Sequence, residues 1–184
     1  MEPSVLPPVA EIVADMERAA TGRRTDAETG WKTAIVNLVQ SNLRQWDLED
    51  ATRDPGASDA QVAHAKREID RLNVGRHRLV EEIDAAIDSV LDQSATAPLA
   101  TESPGMVLDR LSVLVIRRAR TAAACRRDPE LADRVRALEA QVGSLAAALD
   151  SYLDELRAGT KRFVRYQSLK LYGPSTAAAR SAKE

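Results

Sequence analysis

Two helical stripes of this sequence change from apolar to polar part of the way along, and their polar residues are of types that can bind a ligand. At about 100° per residue, the first stripe consists of Trp31, Ile35, Leu38, Asn42, Gln45, Trp46, Glu49 and Arg53. The second consists of Val62, Lys66, Ile69, Asn73, Arg76, Val80 and Ile87, with Asp70, His77 and Asp84 at its edge. A charged group buried without a partner is unfavourable, so these groups must pair with one another, line a solvated pocket, or do both.

The residue types in these stripes favour recognition of an anion. Arginine and lysine donate charge-assisted hydrogen bonds to phosphate or carboxylate groups, and arginine can do so through two parallel bonds. The side chains assigned to the anion are Arg76, Arg110, Arg162 and Lys170. Trp46 or Tyr166 would stack on a ring of the ligand, and Glu49 and Asp70 are the candidate acid and base. A structural network that fixes the register of the helices is the alternative for the same residues.

A further polar group, near the C-terminal end, is basic. Residues 161–172 contain Lys161, Arg162, Arg165 and Lys170 and no acidic residue, in a chain whose formal net charge is −2. On the helix predicted there, Arg162 shares a face with Tyr166, and Gln167 lies on the neighbouring face with Lys170. This cluster suits a phosphate or carboxylate ligand, while a solvated basic face or pairing with internal acids is the alternative.

The sequence gives little support for metal or thiol chemistry. Glu49, Asp50, Asp70 and Asp84 offer the oxygen ligands that Mg²⁺ prefers, but basic residues crowd the same stripes and the acids form no compact motif. We therefore predict no metal site and no cofactor, with magnesium as the minority alternative. Cys125 is the single cysteine, which excludes an internal disulfide and fits a reducing cytoplasm.

Composition points to one helical domain without a general affinity for nucleic acid. Hydrophobic residues make up 44 % of the 184 residues, enough for a sizeable core, and aromatic residues make up only 3 %. Charges of both signs are interspersed, so nucleic acid is not an expected partner. No segment approaches the roughly 18 apolar residues of a membrane span, and the N-terminus lacks the pattern of a signal peptide. We expect a soluble, cytoplasmic protein without a membrane partner.

Proline, glycine and capping residues divide the sequence into six predicted helical segments. They lie at about residues 8–20, 26–53, 59–92, 104–125, 129–158 and 160–172. Long helices joined by short turns favour an all-α antiparallel bundle of about five to six helices, with a long central hairpin. We predict a single domain over residues 1–172 and a disordered tail over residues 173–184, which has too few apolar residues to pack.

The central hairpin would bring the two polar stripes together. If the second and third helices fold back about residues 54–58, residues equidistant from the turn lie level with one another. Glu49 would then lie near Lys66, and Asn42 near Asp70 and Asn73. The predicted site lies between the second, third, fourth and last helices.

Five segments, in order, resemble an uncharacterised family, the domain of unknown function family 4254. They are NLRQWDLED, KREIDRLNVGRHRLVEEID, SPGMVLDRLSVL, GTKR and RYQSLKLY, and they span about residues 37 to 172. The resemblance implies a helical domain whose recurring polar and aromatic positions are Asn42, Trp46, Glu49, Asp50, Asp70, Asn73, Arg76, Asp109, Arg110, Tyr166, Gln167, Lys170 and Tyr172. Members similar to this chain tend to be encoded beside glycosyltransferase and other cell-surface polysaccharide genes, which implies a role in glycan or nucleotide-sugar metabolism. The family brings no known activity to the sequence.

Two functions therefore stand as expectations. The first is binding or conversion of a phosphorylated sugar or nucleotide sugar in cell-surface glycan biosynthesis, and it predicts a concave pocket with perturbed carboxylates. Its candidate ligand-binding residues are Asn42, Trp46, Asn73, Arg76, Asp109, Arg110, Arg162, Tyr166, Gln167 and Lys170. The alternative is a non-catalytic helical module that partners a glycosyltransferase or forms a homodimer. It predicts an exposed apolar stripe, for which residues 131–153 are the candidate, although ordinary core explains that stripe more simply.

Overall fold

Five α-helices form the architecture of the part of the chain that the structure describes. The computed structural model describes residues 8–23 and 30–169. The helices are α1 (Val9–Ala20), α2 (Trp31–Thr52), α3 (Asp59–Asp88), α4 (Pro104–Cys125) and α5 (Ala132–Arg157), and a short 3₁₀ turn (Pro129–Leu131) precedes α5. The all-α fold predicted from the sequence is confirmed, with five helices rather than six.

Local sequence signals set several of these helix ends. Ser58 begins α3 with a capping box, in which its hydroxyl accepts from the N–H of Gln61 and the Gln61 side chain accepts from the N–H of Ser58. Ser103 caps α4 in a similar way, accepting from the N–H of Met106, and Pro104 occupies the first turn. After α5, Gly159 adopts a positive φ of 66°, which favours glycine and ends the helix.

The helices pack as two consecutive hairpins, and α1 packs against helices of both. The hairpins are α2 with α3 and α4 with α5, while α1 contacts α2, α4 and α5. The N–H of Val9, at the start of α1, donates to the Asp150 carboxylate of α5 over 3.2 Å. The largest fully buried side chains come from all five helices and are Val9, Met16, Ile35, Leu38, Ile83, Ile87, Leu108, Leu111, Ile116, Leu149, Leu153 and Leu156.

The α2–α3 hairpin contains a second, smaller apolar cluster close to its turn. Leu48, Ala65 and Ile69 are buried there, with Leu72 packed against them. On α2 the last buried apolar residue of the main core is Val39, so polar residues follow before Leu48 restores apolar packing. The polar part of the first stripe therefore occupies the region where the main core gives way to the cluster at the turn.

The last predicted helix is wrong over residues 161–169, where the chain is extended. This segment lies along the C-terminal half of α3 and runs against its direction, since Phe163 bonds to Gln93 and Ser168 to Glu81. Arg162 pairs through its backbone with Pro98 and Ala100, and a parallel β-bridge joins it to Leu99. We call residues 161–169 the strap.

Tertiary contacts explain why the strap is not helical. In an α-helix its backbone N–H groups would bond within the segment, but here side chains of other elements accept from them. The N–H of Phe163 donates to Gln93 Oε1 at 2.6 Å, that of Tyr166 to Asp84 Oδ2 at 2.9 Å, and that of Ser168 to Glu81 Oε1 at 2.7 Å. Phe163 is also buried in the core. Burial and these acceptors outweigh the weak intrinsic helix propensity of so short a segment.

Some sequence predictions fall outside the described residues. These are the Asp26 cap of the second helix, Lys170, Tyr172 and the tail over residues 173–184. Within the part of the chain that the structure describes, no helix combines the length and the apolar character needed to cross a membrane.

Candidate ligand-binding site

A cavity of about 370 Å³ lies between α2, α3 and α4. We call it the polar cavity, and its lining residues are Asn42, Gln45, Trp46, Glu49, Arg53, Arg76, Val113 and Arg117. Five of them come from the polar half of the α2 stripe, because helical periodicity places those positions on one face. Ligand pockets typically have volumes of roughly 300–1,000 Å³, so the cavity has room for a small molecule.

Asn42 anchors α2 to α4 at the floor of the cavity. Its Nδ2 donates to Asp109 Oδ1 at 2.9 Å and to Ser112 Oγ at 2.8 Å, which uses both amide hydrogens. The Ser112 hydroxyl in turn donates to the carbonyl of Asp109 at 2.7 Å. Asn42 and Ser112 are both buried, so this part of the polar layer has a structural role and its donors are paired.

The arginines of the cavity are less completely paired. Arg76 lies 3.9 Å from Asp109, at the outer limit of an ion pair, and most of its donor capacity is unused by that contact. Arg53 is more exposed and lies 3.7 Å from Glu49 and 3.3 Å from Asp50. For Arg117 no carboxylate lies within ion-pair distance among residues 8–23 and 30–169.

One buried polar atom beside this cavity lacks a partner. Gln45 Oε1 is inaccessible to solvent and accepts no hydrogen bond from any described residue. Buried polar atoms of native proteins are nearly always bonded to protein or to an ordered molecule. Because solvent cannot reach this oxygen, a ligand in the cavity could bond to it only if the Gln45 side chain moved.

The charge balance of the cavity favours an anion. Three guanidinium groups, those of Arg53, Arg76 and Arg117, line it together with a single carboxylate, that of Glu49. Asp109 adds a second carboxylate next to Arg76, but its Oδ1 already accepts from Asn42. Arg76 is half-buried, so its charge acts on an anion more strongly than the charges of the exposed Arg53 and Arg117, which solvent screens.

The buried carboxylate with a raised pKa lies elsewhere. Asp84 has no exposed surface, and desolvation raises its pKa, while hydrogen bonds from the Ser103 side chain and from the N–H groups of Tyr166 and Gly105 oppose the shift. The bond from Gly105 is 2.7 Å long and lies in the first turn of α4, where a carboxylate also meets the positive end of the helix dipole. Asp84 thus joins α3, the start of α4 and the strap.

The structure brings together some of the sequence-predicted residues and separates others. Asn42, Trp46, Glu49 and Arg76 line the polar cavity, and Asp109 bonds to the first of them. Asp70 does not line it: its side chain is 62 % exposed and lies 3.2 Å from Lys66 on the same helix. These placements differ from the expected pairing across the hairpin, because α4 supplies the partners of Asn42.

Asn73 and Arg110 also lie outside the polar cavity. Asn73 is half-buried on α3 and is absent from the cavity lining. Arg110 belongs to an adjoining groove between α4 and α5, and its guanidinium pairs with Glu102 at 3.1 Å. Arg110 therefore adjoins the polar cavity only through this groove, which shares Arg76 and Val113 with the cavity.

The strap residues of the predicted site lie over α3 and not in the polar cavity. Arg162 Nε donates to the carbonyl of Ala97 at 3.0 Å, so this guanidinium holds the strap in place. The Tyr166 hydroxyl lies 2.8 Å from His77 Nδ1, and the two rings stack. Gln167 lines a separate surface depression with Tyr166, and Lys170 is outside the described residues.

Sequence reasoning missed Arg117. It lies four residues after Val113 and eight after Asp109, which places the three on one face of α4. The same periodicity that identified the α2 stripe could have found it. The apolar run that precedes Arg117 is typical of a helix surrounded by core, but Val113 and Leu114 are only partly buried.

Metal ligands do not cluster in the part of the chain that the structure describes. No group of three or more histidine, cysteine, aspartate or glutamate side chains there has an arrangement that could hold a metal ion. Glu49 and Asp70, two of the acids considered for Mg²⁺, each lie beside a basic side chain instead.

The fold and the cavity define a class of protein: an all-α bundle with a polar, arginine-rich cavity enclosed by three helices. The chain belongs to the family described as protein of unknown function (DUF4254), which matches residues 32–164. The matched region contains every residue that lines the polar cavity and ends before Tyr166. No curated protein and no solved structure matches the chain.

Proposed function

We propose that the polar cavity binds a phosphorylated sugar or a nucleotide sugar. The observation that carries this proposal is the convergence of Arg76 and Arg117, which have donor capacity to spare, in one cavity. Guanidinium groups suit phosphate oxygens. A phosphate group in the cavity would accept hydrogen bonds from both guanidinium groups.

Trp46 and Glu49 give the cavity two further capacities. Trp46 packs partly against the core and partly lines the cavity, so a face of its ring can stack on a sugar or a base. Glu49 is the candidate acid or base that the cavity retains, since Asp70 lies outside it. Binding is the primary proposal, and any chemistry would be carried by Glu49.

We assign this activity to cell-surface glycan biosynthesis in the cytoplasm. The support is the gene neighbourhood that family resemblance implies, together with the single cysteine, which fits a reducing compartment. Sugar phosphates and nucleotide sugars are the anionic intermediates of such synthesis, and the charge of the cavity suits them.

Calorimetric titration with glucose 1-phosphate, UDP-glucose and unphosphorylated glucose tests the proposal. We expect binding of at least one phosphorylated compound and none of glucose. Arg117→Gln removes a charged donor worth about 1.5–3 kcal/mol, so affinity should fall roughly ten- to hundredfold. Arg117 is an exposed position of α4, so the fold should be unaffected by this substitution.

The matched control is Arg126→Gln, which removes an equal charge from the exposed end of α4, outside the cavity lining. It should leave affinity within about twofold, as expected of a surface charge distant from the ligand. Absence of binding by every phosphorylated compound would refute the proposal. An equal loss in both variants would also refute it, because attraction would then depend on net charge and not on the cavity.

The alternative of a protein-interaction module loses its specific support on α5. The apolar residues of the candidate stripe, including Leu138, Val142, Leu149 and Leu153, are buried within the chain. A glycosyltransferase partner or a homodimer therefore stays a prediction, and the apolar surface left to it is the open groove between α4 and α5.

A further inference from the structure

A groove between α4 and α5 adjoins the polar cavity and is lined mainly by aliphatic side chains. It has a volume of about 830 Å³ and is open to solvent. Arg76 and Val113 line both the groove and the polar cavity, so the two adjoin at these side chains. A ligand held in the polar cavity would extend past Arg76 and Val113 to enter the groove.

The floor and sides of this groove are largely aliphatic. Val113 and Leu114 of α4 face Ala140, Leu145 and Ala148 of α5 across it. Gln141 and Ser144 are its uncharged polar residues. None of the described residues that line the groove is aromatic, so it offers no platform on which a nucleobase could stack.

The groove carries charge at two places. At the side shared with the polar cavity Arg76 faces Asp109, and at the side shared with the second cavity Arg110 is tied to Glu102. Because Arg110 is paired, its aliphatic stem can cover apolar surface while its charge stays satisfied. The groove thus has guanidinium donors beside a carboxylate at the Arg76 end and aliphatic side chains between there and Arg110.

A second cavity of about 330 Å³ lies past the groove and shares Arg110, Leu145 and Ala148 with it. Val107 and Leu149 continue the aliphatic surface there, and Glu102 and Lys161 add charged groups. Along α4, the distance from Val107 to Val113 corresponds to about 9 Å of helix. Tyr152 lies at the far end, where burial raises the pKa of its phenol, so the protonated hydroxyl donates to the carbonyl of Glu102 at 2.9 Å.

We propose that the ligand is an amphiphilic phosphate whose head group lies at Arg76 and Arg117 and whose aliphatic chain lies in the α4–α5 groove. This rests on the proposed function and narrows its substrate class to a phosphate or sugar phosphate carried on a lipid chain. Charge complementarity fixes the orientation, because the unused guanidinium donors lie at the Arg76 end. The basic groups at the other end are already paired, Arg110 with Glu102 and Lys161 with Glu155. No covalent step is implied.

Chain-length dependence of binding tests the inference. Dimethylallyl phosphate and geranyl phosphate carry the same head group, and the second has five more carbons. Full burial of a methylene improves affinity roughly fourfold, and about twofold is expected in a groove open on one side, so geranyl phosphate should bind on the order of thirtyfold more tightly. Geraniol, which lacks the phosphate, should bind far more weakly than geranyl phosphate.

Tryptophan substitutions at two neighbouring alanines of α5 test whether the aliphatic chain of the ligand lies in the groove. Ala148 lines the groove, whereas its neighbour Ala147 is also exposed and lines neither the groove, the cavity beyond it nor the polar cavity. Ala148→Trp should occupy the groove and abolish the advantage of geranyl phosphate while leaving dimethylallyl phosphate unaffected. Ala147→Trp should preserve the advantage. Because both positions are exposed, each variant should fold.

The outcomes separate this inference from the proposed function. If glucose 1-phosphate binds but the two prenyl phosphates show equal affinity, or none, the lipid chain is refuted and the anion site stands. Geraniol binding as tightly as geranyl phosphate would also refute it, since the head group would then contribute nothing. If no phosphorylated compound binds, including glucose 1-phosphate, the proposed function fails and the inference fails with it.

Discussion

Gly105→Ala is expected to destabilise the protein, although alanine is normally the better helix residue. Gly105 lies in the first turn of α4, where its N–H donates to Asp84 Oδ1 at 2.7 Å. A Cβ at this position would lie 2.7 Å from that same oxygen and 2.8 Å from the carbonyl oxygen of Val80. The Val80 carbonyl belongs to the backbone of α3 and cannot rotate away, so α4 must move.

The expected change in the free energy of unfolding combines one stabilising effect and two destabilising effects. Alanine gains up to about 1 kcal/mol over glycine in a helix interior, and less in a first turn. Overpacking costs about 1–3 kcal/mol, and weakening a hydrogen bond to a charged acceptor costs about 1.5–3 kcal/mol. The free energy of unfolding should therefore fall by about 2 kcal/mol or more, which corresponds to a decrease of roughly 4–8 °C in Tm for a chain of this size.

Urea unfolding followed by far-ultraviolet circular dichroism measures this change, and two other glycines supply the controls. At Gly75 on α3 and Gly143 on α5, no neighbouring atom lies within 4 Å of the position that a Cβ would occupy. Gly75→Ala and Gly143→Ala should therefore be neutral or stabilising by about 0.5–1 kcal/mol. If Gly105→Ala proves as stable as the parent while the controls behave as expected, the close contact of α3 with α4 at Asp84 is wrong.

Two further predictions concern the polar layer and its buried acid. Asn42→Ala should lower the free energy of unfolding by about 1–3 kcal/mol, because Asp109 and Ser112 lose a buried donor. Urea titration checks this against Asn37→Ala, an exposed asparagine of the same helix, which should change stability by less than about 0.5 kcal/mol. For Asp84, the pKa is raised in the folded state above its ordinary value of 3.8, so the folded protein binds the proton more tightly than the unfolded chain. The resulting stability is fully present below pH 3.8 and is lost as pH rises through the raised pKa. The stability of the parent relative to Asp84→Asn should therefore decline with rising pH in urea titrations at a series of pH values, and a difference that stays constant or increases would contradict the raised pKa.

Much of the polar cavity was accessible to sequence reasoning because it depends on helix periodicity. Asn42, Trp46 and Glu49 share a stripe on α2 at any tertiary arrangement, provided that the helix forms. Asp70 shows the limit of the method. Its helical position lies at the edge of the α3 stripe, and a small rotation of α3 about its axis decides between the cavity and solvent.

In the strap, sequence reasoning predicted the wrong secondary structure. The spacing of Phe163 and Tyr166 fits a helix face, and no proline or glycine between them argues otherwise. The extended conformation depends on acceptors far away in the sequence, at Asp84 and Gln93. Local propensity cannot report on partners that only the folded chain supplies.

The sequence by itself determined the helical class, most helix ends and the existence of a polar layer in the α2–α3 hairpin. Those features depend on capping residues, glycine, proline and periodicity, which act over a few neighbouring residues. Only the tertiary structure decided that α4 pairs with Asn42, that Arg117 joins the cavity, and that the strap is extended. These outcomes depend on rotations and contacts between distant segments, whose energies come from burial and from hydrogen bonds that no local pattern encodes.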